Sequence, residues 1–327
     1  MKQLTKPTFY FATAVVAFTL FSCGENQSAT AANNDSSQTA KADTNGKKYL
    51  SQPLVTHIYT ADPSAHVFNN RIYIYPSHDT ATGTPEDDLG SHFFANGKYY
   101  LYFPVKNKQD VFQIGVATSD KPEGPFTAEK EPIKGSYSMD PCVFKDDDGS
   151  YYMYFGGIWG GQLQRWGGNN QYDSTKGNRK PEEQAVLPRM AKLNADMKSF
   201  ATPVKEVRLV DGNGKTFTEK DNDKRFFEAA WMHKYNGKYY FSYSTGDTHN
   251  ICYAIGDSPN GPFTYKGIIL KPVKGWTNHH SIIQHNGKWW LFYHDVQLSG
   301  KTHLRNVKVT ELHYNPDGTI QPINPML

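Results

Sequence analysis

The sequence predicts an all-β protein, a five-bladed β-propeller in which blades one and two are incomplete. Short strand-like runs separated by turns, without helical periodicity, follow one another from Pro53 to the end of the chain. One hairpin design occurs five times along this stretch. Self-similar units spaced about one blade apart are typical of a propeller, in which small sheets stack around an axis.

Each copy of the hairpin has an apolar strand, a short turn and an aromatic strand. In the copy at 138–157, Asp148-Gly149 lies between the two strands. This dipeptide predicts a type I′ turn, because both central residues of that turn need positive φ. The other copies lie at 61–75, 94–103, 228–243 and 279–293. Four of the five open on a polar or ionisable residue, whereas 94–103 is a half copy without one.

Residues 1–23 are predicted to be a lipoprotein signal peptide. Lys2 and Lys6 precede an apolar run at 9–21 that is too short to cross a membrane as a helix. The small residue before Cys23 resembles a bacterial lipoprotein cleavage site, so the mature chain is expected to start at Cys23 with lipid attached. Ordinary signal cleavage next to an incidental cysteine is the alternative. The expected location is the bacterial cell envelope, at the periplasmic or outer-membrane face.

The rest of the chain divides into a linker and one domain. Residues 24–50 are rich in small and polar residues and lack apolar periodicity, which predicts a flexible linker to a propeller at 51–327. The net charge is +3 and no long basic run occurs outside the N-terminus, so nucleic acid is not an implied partner. Membrane contact is expected only through the lipid anchor. The abundant aromatic residues suit strands, and they also suit stacking on sugar rings.

Three acidic residues open repeated hairpins. They are Asp62, Asp140 and Glu228. In a propeller the innermost strands start near one mouth of the central channel, so residues that open them converge. One Asp before a hairpin is a common cap or turn residue. Three acids at what the sequence indicates to be one repeat position predict a carboxylate site.

The phrases Thr-Ala-Asp62-Pro-Ser, Met-Asp140-Pro-Cys and Phe-Phe-Glu228-Ala-Ala resemble glycoside hydrolase family 43, the five-bladed inverting β-xylosidases and α-L-arabinofuranosidases. The resemblance extends from about Pro53 to the C-terminus. It includes the phrases at 156–163, 231–237, 276–281 and 292–295. It implies hydrolysis of O-glycosyl bonds in xylose- or arabinose-containing hemicellulose oligosaccharides. Asp62 matches the general base, Glu228 the general acid, and Asp140 the carboxylate that orients the acid and raises its pKa.

The resemblance implies roles for three further residues and no cofactor for the chemistry. His279 matches a histidine near the propeller axis, where many members hold a calcium ion or a water cluster. Calcium prefers oxygen ligands, so a single histidine implies a mostly hydrated ion, and a hydrogen-bonded channel histidine is the alternative. Arg305 matches an arginine that reaches the sugar pocket; the alternative is an ordinary residue on a surface strand. Trp159 is expected to stack on a sugar; the alternative is that its ring simply packs its own loop.

The second block of the chain departs from the family pattern. After the first hairpin, residues 78–93 read as a polar loop, and the chain then enters the second strand of the next hairpin at Lys98. Outer strands for blade one and an innermost strand for blade two are not recognisable. We expect an internal deletion near Phe93-Phe94 that opens the pocket wall. The alternative function is therefore a catalytically impaired, glycan-binding propeller.

Overall fold

The structure is a computed structural model that describes residues 16–17, 48–80 and 92–327. The predicted lipidation site Cys23 lies outside the described residues, as do most of the predicted signal peptide and linker. The polar loop at 81–91 also lies outside them. Among the described residues, no helix is long and apolar enough to cross a membrane.

The described part of the chain is built from strands, with two single-turn 3-10 segments at Trp159–Gly161 and Leu163–Arg165 and no α-helix. The strands are β1 (Val16–Ala17), β2 (Tyr59–Phe68), β3 (Arg71–Asp79), β4 (His92–Ala95), β5 (Lys98–Lys106), β6 (Phe112–Ser119), β7 (Thr127–Ala128), β8 (Cys142–Lys145), β9 (Tyr151–Phe155), β10 (Arg189–Lys192), β11 (Lys205–Glu206), β12 (Leu209–Val210), β13 (Phe226–Tyr235), β14 (Lys238–Thr245), β15 (Ile251–Gly256), β16 (Phe263–Leu270), β17 (His280–His285), β18 (Lys288–Asp295) and β19 (Asn306–Leu312). The predicted all-β class is confirmed.

These strands form five sheets that close into a ring. Their orders are β1-β3-β2, β4-β5-β6-β7, β8-β9-β10-β11, β13-β14-β15-β16-β12 and β17-β18-β19. In each sheet, the first strand of the repeated hairpin contacts the first strand of the hairpin in the next sheet. The contacts are β2 with β4, β4 with β8, β8 with β13, β13 with β17, and β17 with β2. This closed circuit of inner strands is the arrangement of a five-bladed propeller.

Four of the repeated hairpins close with the predicted two-residue turns. The turns are Asn69-Asn70, Asn96-Gly97, Asn236-Gly237 and Asn286-Gly287, and φ is positive at both residues of each. The prediction of a type I′ turn at Asp148-Gly149 is wrong. The hairpin between β8 and β9 forms, but its strands pair last at Lys145 and Tyr151, and the loop is closed by a hydrogen bond from Asp146 N–H to the Ser150 carbonyl.

Blade two has an innermost strand, contrary to the expectation that it would be missing. β4 is four residues long and pairs antiparallel with β5, so the half copy at 94–103 completes a hairpin. Among the described residues, blade one consists of the β2–β3 hairpin, and the two residues of β1, which lie in the predicted signal peptide, pair with its outer edge. The two blades are joined directly, because Tyr75 Oη donates to the Pro122 carbonyl and Tyr73 Oη donates to Glu123.

The two ends of the described body meet beside blade five. Leu50 N–H donates to the Pro325 carbonyl and Leu327 N–H donates to the Lys48 carbonyl. Residues 48–50, the end of the predicted linker, are therefore paired with the C-terminal segment. Further along, Thr60 N–H donates to the Arg305 carbonyl. This bond fixes the entry to β19 against β2 and so positions Arg305.

Candidate active site

Four blades bring one repeat position to the same end of the ring. Asp62, Ala229 and His279 each lie seven residues before the turn of their hairpins. Asp140 has the corresponding place before β8. Glu228 lies one residue earlier. The prediction that three acids share one repeat position is therefore wrong for Glu228, because Ala229 occupies that position in blade four.

The backbone at this position is bulged and left-handed. The β2–β3 register shifts between Ala61 and Ser64, and the β13–β14 register shifts between Glu228 and Trp231. The φ angles are 47° at Asp62, 55° at Asp140 and 62° at Ala229. Bulges re-aim side chains, and left-handed non-glycine residues persist only where their surroundings hold them. The bulge explains how an acid one residue out of register joins the cluster.

Asp62 is a buried carboxylate with three donors around it. Ser77 Oγ donates to Oδ2 at 2.7 Å, while Arg305 Nη1 and His279 Nδ1 lie 3.2 and 3.3 Å from Oδ1. Burial raises the pKa of Asp62, but the charge of Arg305 and the hydrogen bond from His279 outweigh this effect, so that the pKa lies well below its ordinary value. Asp62 is therefore ionised at neutral pH.

Arg305 connects Asp62 to a second buried carboxylate, Asp79. Its Nε and Nη2 donate to the two Asp79 oxygens at 2.8 and 2.7 Å, and its backbone N–H donates to Oδ2 at 2.7 Å. Bidentate pairs of this kind fix the plane of the guanidinium. The predicted sugar-contacting Arg305 is thus buried and in contact with Asp62, rather than exposed on a surface strand.

His294 fixes the backbone of Asp62. Its Nδ1 accepts a hydrogen bond from Asp62 N–H at 3.1 Å, while Nε2 lies 3.1 Å from the Thr277 carbonyl, which assigns the proton to Nε2. Burial lowers the pKa of His294 to about 4, so the ring is neutral at pH 7. Its 3.4 Å approach to Asp62 Oδ1 is consequently not an ion pair at that pH.

Asp140 is buried next to the residue that follows Glu228. Its Oδ2 accepts a hydrogen bond from Ala229 N–H at 3.0 Å. Burial raises the pKa of Asp140 and the charge of Asp62 adds to this effect, against the opposing charge of His279. On the other side of Glu228, the Phe227 carbonyl accepts a hydrogen bond from Ile158 N–H at 3.0 Å. The strand is therefore held on both sides of Glu228, which is itself partly exposed.

His279 stands among all three acids. Burial lowers its pKa, but Asp140, Asp62 and Glu228 together raise the pKa to about 9. The imidazole is consequently protonated at neutral pH. In the part of the chain that the structure describes, no group of three or more His, Cys, Asp or Glu side chains has the arrangement of a metal site.

Most of the propeller, residues 90–320, matches the family described as Glycosyl hydrolases family 43. The chain belongs to this family. The xylosidase/arabinosidase 43A of Humicola insolens is 53% identical over 324 residues, which cover 84% of this chain and 99% of the relative. A xylosidase/arabinosidase of Bacteroides ovatus is 50% identical over 314 residues, covering 82% of this chain and 95% of the relative.

Solved structures of family 43 enzymes share the fold. A β-xylosidase/α-arabinofuranosidase from a compost microbial metagenome, in complex with xylotriose and described as a calcium-free form, gives a TM-score of 0.80 at 54% identity, covering 85% of this chain and 99% of that one. A GH43_1 enzyme from Xanthomonas citri complexed with xylotriose gives a TM-score of 0.82 at 47% identity, covering 85% and 94%.

Two exposed tryptophans of this family 43 chain adjoin the acid cluster. Trp159 is 51% exposed and follows Ile158, the residue bonded to the strand of Glu228. Trp276 is 58% exposed, precedes Thr277, and its ring lies 4.8 Å from the ring of His249. Trp159, predicted to contact sugar, is therefore not packed into its loop. Trp276 offers a second exposed ring that the sequence did not single out.

Four polar residues of the site were not recognised from the sequence. They are Ser77, Asp79, Thr277 and His294. A usable signal existed for Ser77 and Asp79, since both lie at the end of β3 farthest from its turn. An antiparallel hairpin brings that end beside the start of the first strand. A polar residue there must lie close to the acid that opens the hairpin.

Proposed function

We propose that the protein is an inverting, exo-acting glycosidase that removes xylose or arabinose from short hemicellulose oligosaccharides. The observation that carries this proposal is that the pKa values of two clustered carboxyls are shifted in opposite directions. Arg305 and His279 hold the pKa of Asp62 well below its ordinary value, whereas burial raises the pKa of Asp140. Such divergence fits a base at Asp62 and, at Asp140, a carboxyl that modulates the neighbouring acid Glu228. Relatives named as xylosidases and arabinosidases, two of them solved with xylotriose, support a pentose substrate.

In the proposed mechanism, Asp62 is the general base. It accepts a proton from a water molecule that attacks the anomeric carbon, while Glu228 donates a proton to the departing glycosidic oxygen. Inverting enzymes use two carboxyl groups in these roles on opposite faces of the sugar. Asp140 positions the acid through its bond to Ala229 N–H. After each turnover, Glu228 must regain its proton and Asp62 must lose one.

The same geometry assigns supporting roles. Arg305, fixed by Asp79, keeps Asp62 ionised and is placed to contact the sugar held against that carboxylate. The exposed ring of Trp159, next to the strand of Glu228, is placed to stack on the sugar unit that leaves. These roles agree with those expected from the sequence.

The comparisons also support an internal deletion. The alignment with the Humicola insolens relative spans 324 positions, whereas 84% of the 327 residues here is about 275, which leaves about 49 positions of that relative without a counterpart. The alignment with the Bacteroides ovatus relative spans 314 positions but only about 268 residues of this chain, which leaves about 46 positions without a counterpart. This length is close to one propeller repeat of about 40–45 residues. We propose that the gap lies near Phe93-Phe94, within β4 and next to the blade-one sheet.

The deletion favours a second candidate function. A propeller that lacks part of the wall between blades one and two would keep its acid cluster but hold the sugar less firmly. The alternative is therefore a catalytically impaired protein that binds glycans. Measurement of turnover separates the glycosidase from the glycan-binding alternative.

A calcium ion in the central channel is part of the proposal, on the basis of a relative described as a calcium-free form. His279 would supply one ligand only after losing the proton that the surrounding acids hold on it in the ion-free protein. Calcium takes six to eight oxygen ligands, and the described residues provide no cluster of three ionisable ligands. The residues present therefore fit a mostly hydrated ion, whose charge would add to that of the surrounding groups. No step of the reaction is assigned to it.

We further propose that Cys23 carries lipid and anchors the enzyme at the bacterial cell envelope. The charged start, the apolar run and the cysteine of residues 1–23 support this. More than one acyl chain on a residue gives stable anchoring. Labelling cells with a fatty-acid analogue should mark the wild-type protein but not Cys23→Ser, and equal labelling of both would contradict the assignment.

The function is tested by hydrolysis of aryl β-D-xyloside and aryl α-L-arabinofuranoside with residues 24–327, after a cooperative thermal transition has been recorded. We expect turnover of at least one substrate, abolished by Asp62→Asn with the transition unchanged. A cooperative fold without turnover would refute the enzyme proposal and support the glycan-binding alternative.

A further inference from the structure

We propose that a cavity between blades two and three is a second oligosaccharide-binding site, distinct from the acid cluster. The cavity has a volume of about 670 Å³ and is lined by Gln113 of β6 and by residues from 134–137, 166–170 and 200–204. Small-molecule sites typically have volumes of about 300–1,000 Å³. None of the three site acids lines it.

The lining suits a neutral, hydroxyl-rich ligand with apolar ring faces. Lys134 is its single charged residue, while Tyr137, Trp166 and Phe200 contribute aromatic rings. The Nε1 of Trp166 is buried and has no acceptor among the described residues. A buried donor without a partner costs about 1–3 kcal/mol, so a ligand hydroxyl that accepts a hydrogen bond from Nε1 would remove this penalty. An anion or a nucleic acid would find only one cation here.

The cavity wall is held rigidly by its own hydrogen bonds. Tyr137 Oη donates to Asn170 Oδ1 at 2.5 Å and accepts from Arg189 Nε at 3.0 Å. Asn170 Nδ2 donates to the Val204 carbonyl at 2.8 Å, and the ring of Trp166 stacks on that of Tyr137 with centroids 4.0 Å apart. A preorganised site loses less conformational entropy on binding.

Parts of the cavity wall adjoin the acid cluster along the chain. Tyr137 lies three residues before Asp140 in the chain. The side chain of Gln162, in the loop that carries Trp159, accepts from Phe112 N–H at 3.2 Å and donates to the Asp110 carbonyl at 2.8 Å. That loop is therefore bonded to the segment that precedes Gln113 and, through Ile158, to the strand of Glu228. We infer that the cavity holds distal units of longer xylo-oligosaccharides, a substrate assignment that rests on the proposed function.

The test introduces bulk at the cavity wall. Ala201 lines the cavity and is exposed, and Ala128 on β7 is an exposed alanine outside the cavity lining. In an Asp62→Asn background, calorimetric titration should show xylohexaose binding at least fivefold weaker for Ala201→Trp and unchanged for Ala128→Trp. Xylobiose binding should be unchanged in both. Equal xylohexaose affinity in all three proteins would overturn the proposal.

Two additions keep the outcome decisive. Gln113→Ala removes an amide from the lining without adding bulk, and it should also weaken xylohexaose binding. It replaces Ala201→Trp as the test if that variant fails to fold. Unchanged affinity in Gln113→Ala would then count against the cavity. Because binding is measured without turnover, failure of aryl glycoside hydrolysis would refute the glycosidase while leaving this result to be judged separately.

Discussion

Removal of one hydroxyl, Ser77→Ala, tests whether the donors around Asp62 set its charge. The Ser77 Oγ–Asp62 Oδ2 bond is 2.7 Å long and both residues are buried. A hydrogen bond to a charged group contributes about 1.5–3 kcal/mol, and 1.36 kcal/mol corresponds to one pKa unit, so the pKa of Asp62 should rise by about 1–2 units. The free energy of unfolding at pH 7 should fall by about 1.5–3 kcal/mol.

The direction of the pH shift follows from the lowered pKa of Asp62. A carboxylate whose folded-state pKa is depressed stabilises the fold above its unfolded pKa, and this stabilisation is lost as the pH falls through the folded value. Ser77→Ala moves the folded value upwards. The acidic limb of kcat/KM against pH, measured with an aryl xyloside, should therefore move to higher pH by about 1–2 units.

Ser244 provides the matched control. It occupies in blade four the place of Ser77 in blade one, it is fully buried, and its Oγ has no partner among the described residues. Ser244→Ala should leave both the acidic limb and the stability close to those of the parent. If the two variants behave alike, the hydroxyl of Ser77 does not control the ionisation of Asp62.

Three further predictions concern the acid, the histidine and the exposed ring. Glu228→Ala should reduce kcat/KM far more on xylobiose than on a dinitrophenyl xyloside, whose leaving group needs no proton, and equal losses would argue against Glu228 as the acid. An NMR titration should give His279 a pKa of about 9 and a lower value in Asp140→Asn, because Asp140 is its main stabilising charge; an unchanged value would contradict that cause. Any stability that His279 provides should be lost between its ordinary pKa and about 9 as pH rises. Trp276→Ala should raise KM for xylotriose by about two- to tenfold, with kcat and Tm retained, whereas Leu298→Ala, which also removes an exposed apolar side chain, should leave KM unchanged.

The sequence predicted the propeller well because its information is local. Each blade repeats one hairpin, and Asn-Gly turns need no distant partner to form. The Asp148-Gly149 turn was wrong because a contact from another blade intervenes. The side chain of Asp146, at the edge of that loop, accepts hydrogen bonds from Tyr239 and Lys234 of blade four, which ties down the wider loop.

The candidate site was predicted in part for a related reason. Repeat logic identified Asp62 and Asp140, whose positions follow from strand register, whereas His279 was identified from the family resemblance. It misplaced Glu228 by one residue, because the spacing of acidic residues does not reveal a bulge. The pair formed by Arg305 and Asp79 joins residues 226 apart in sequence. Such pairing depends on closure of the ring, which brings the end of the chain beside blade one.

The central claim, that Asp62 activates water for direct displacement, is tested most directly by the stereochemistry of the first product. Proton NMR should follow an aryl β-D-xyloside during early turnover by residues 24–327. The account predicts that α-xylose appears first and mutarotates afterwards, and that Asp62→Asn yields neither anomer. Initial β-xylose would mean retention through a covalent intermediate and would contradict the role given to Asp62.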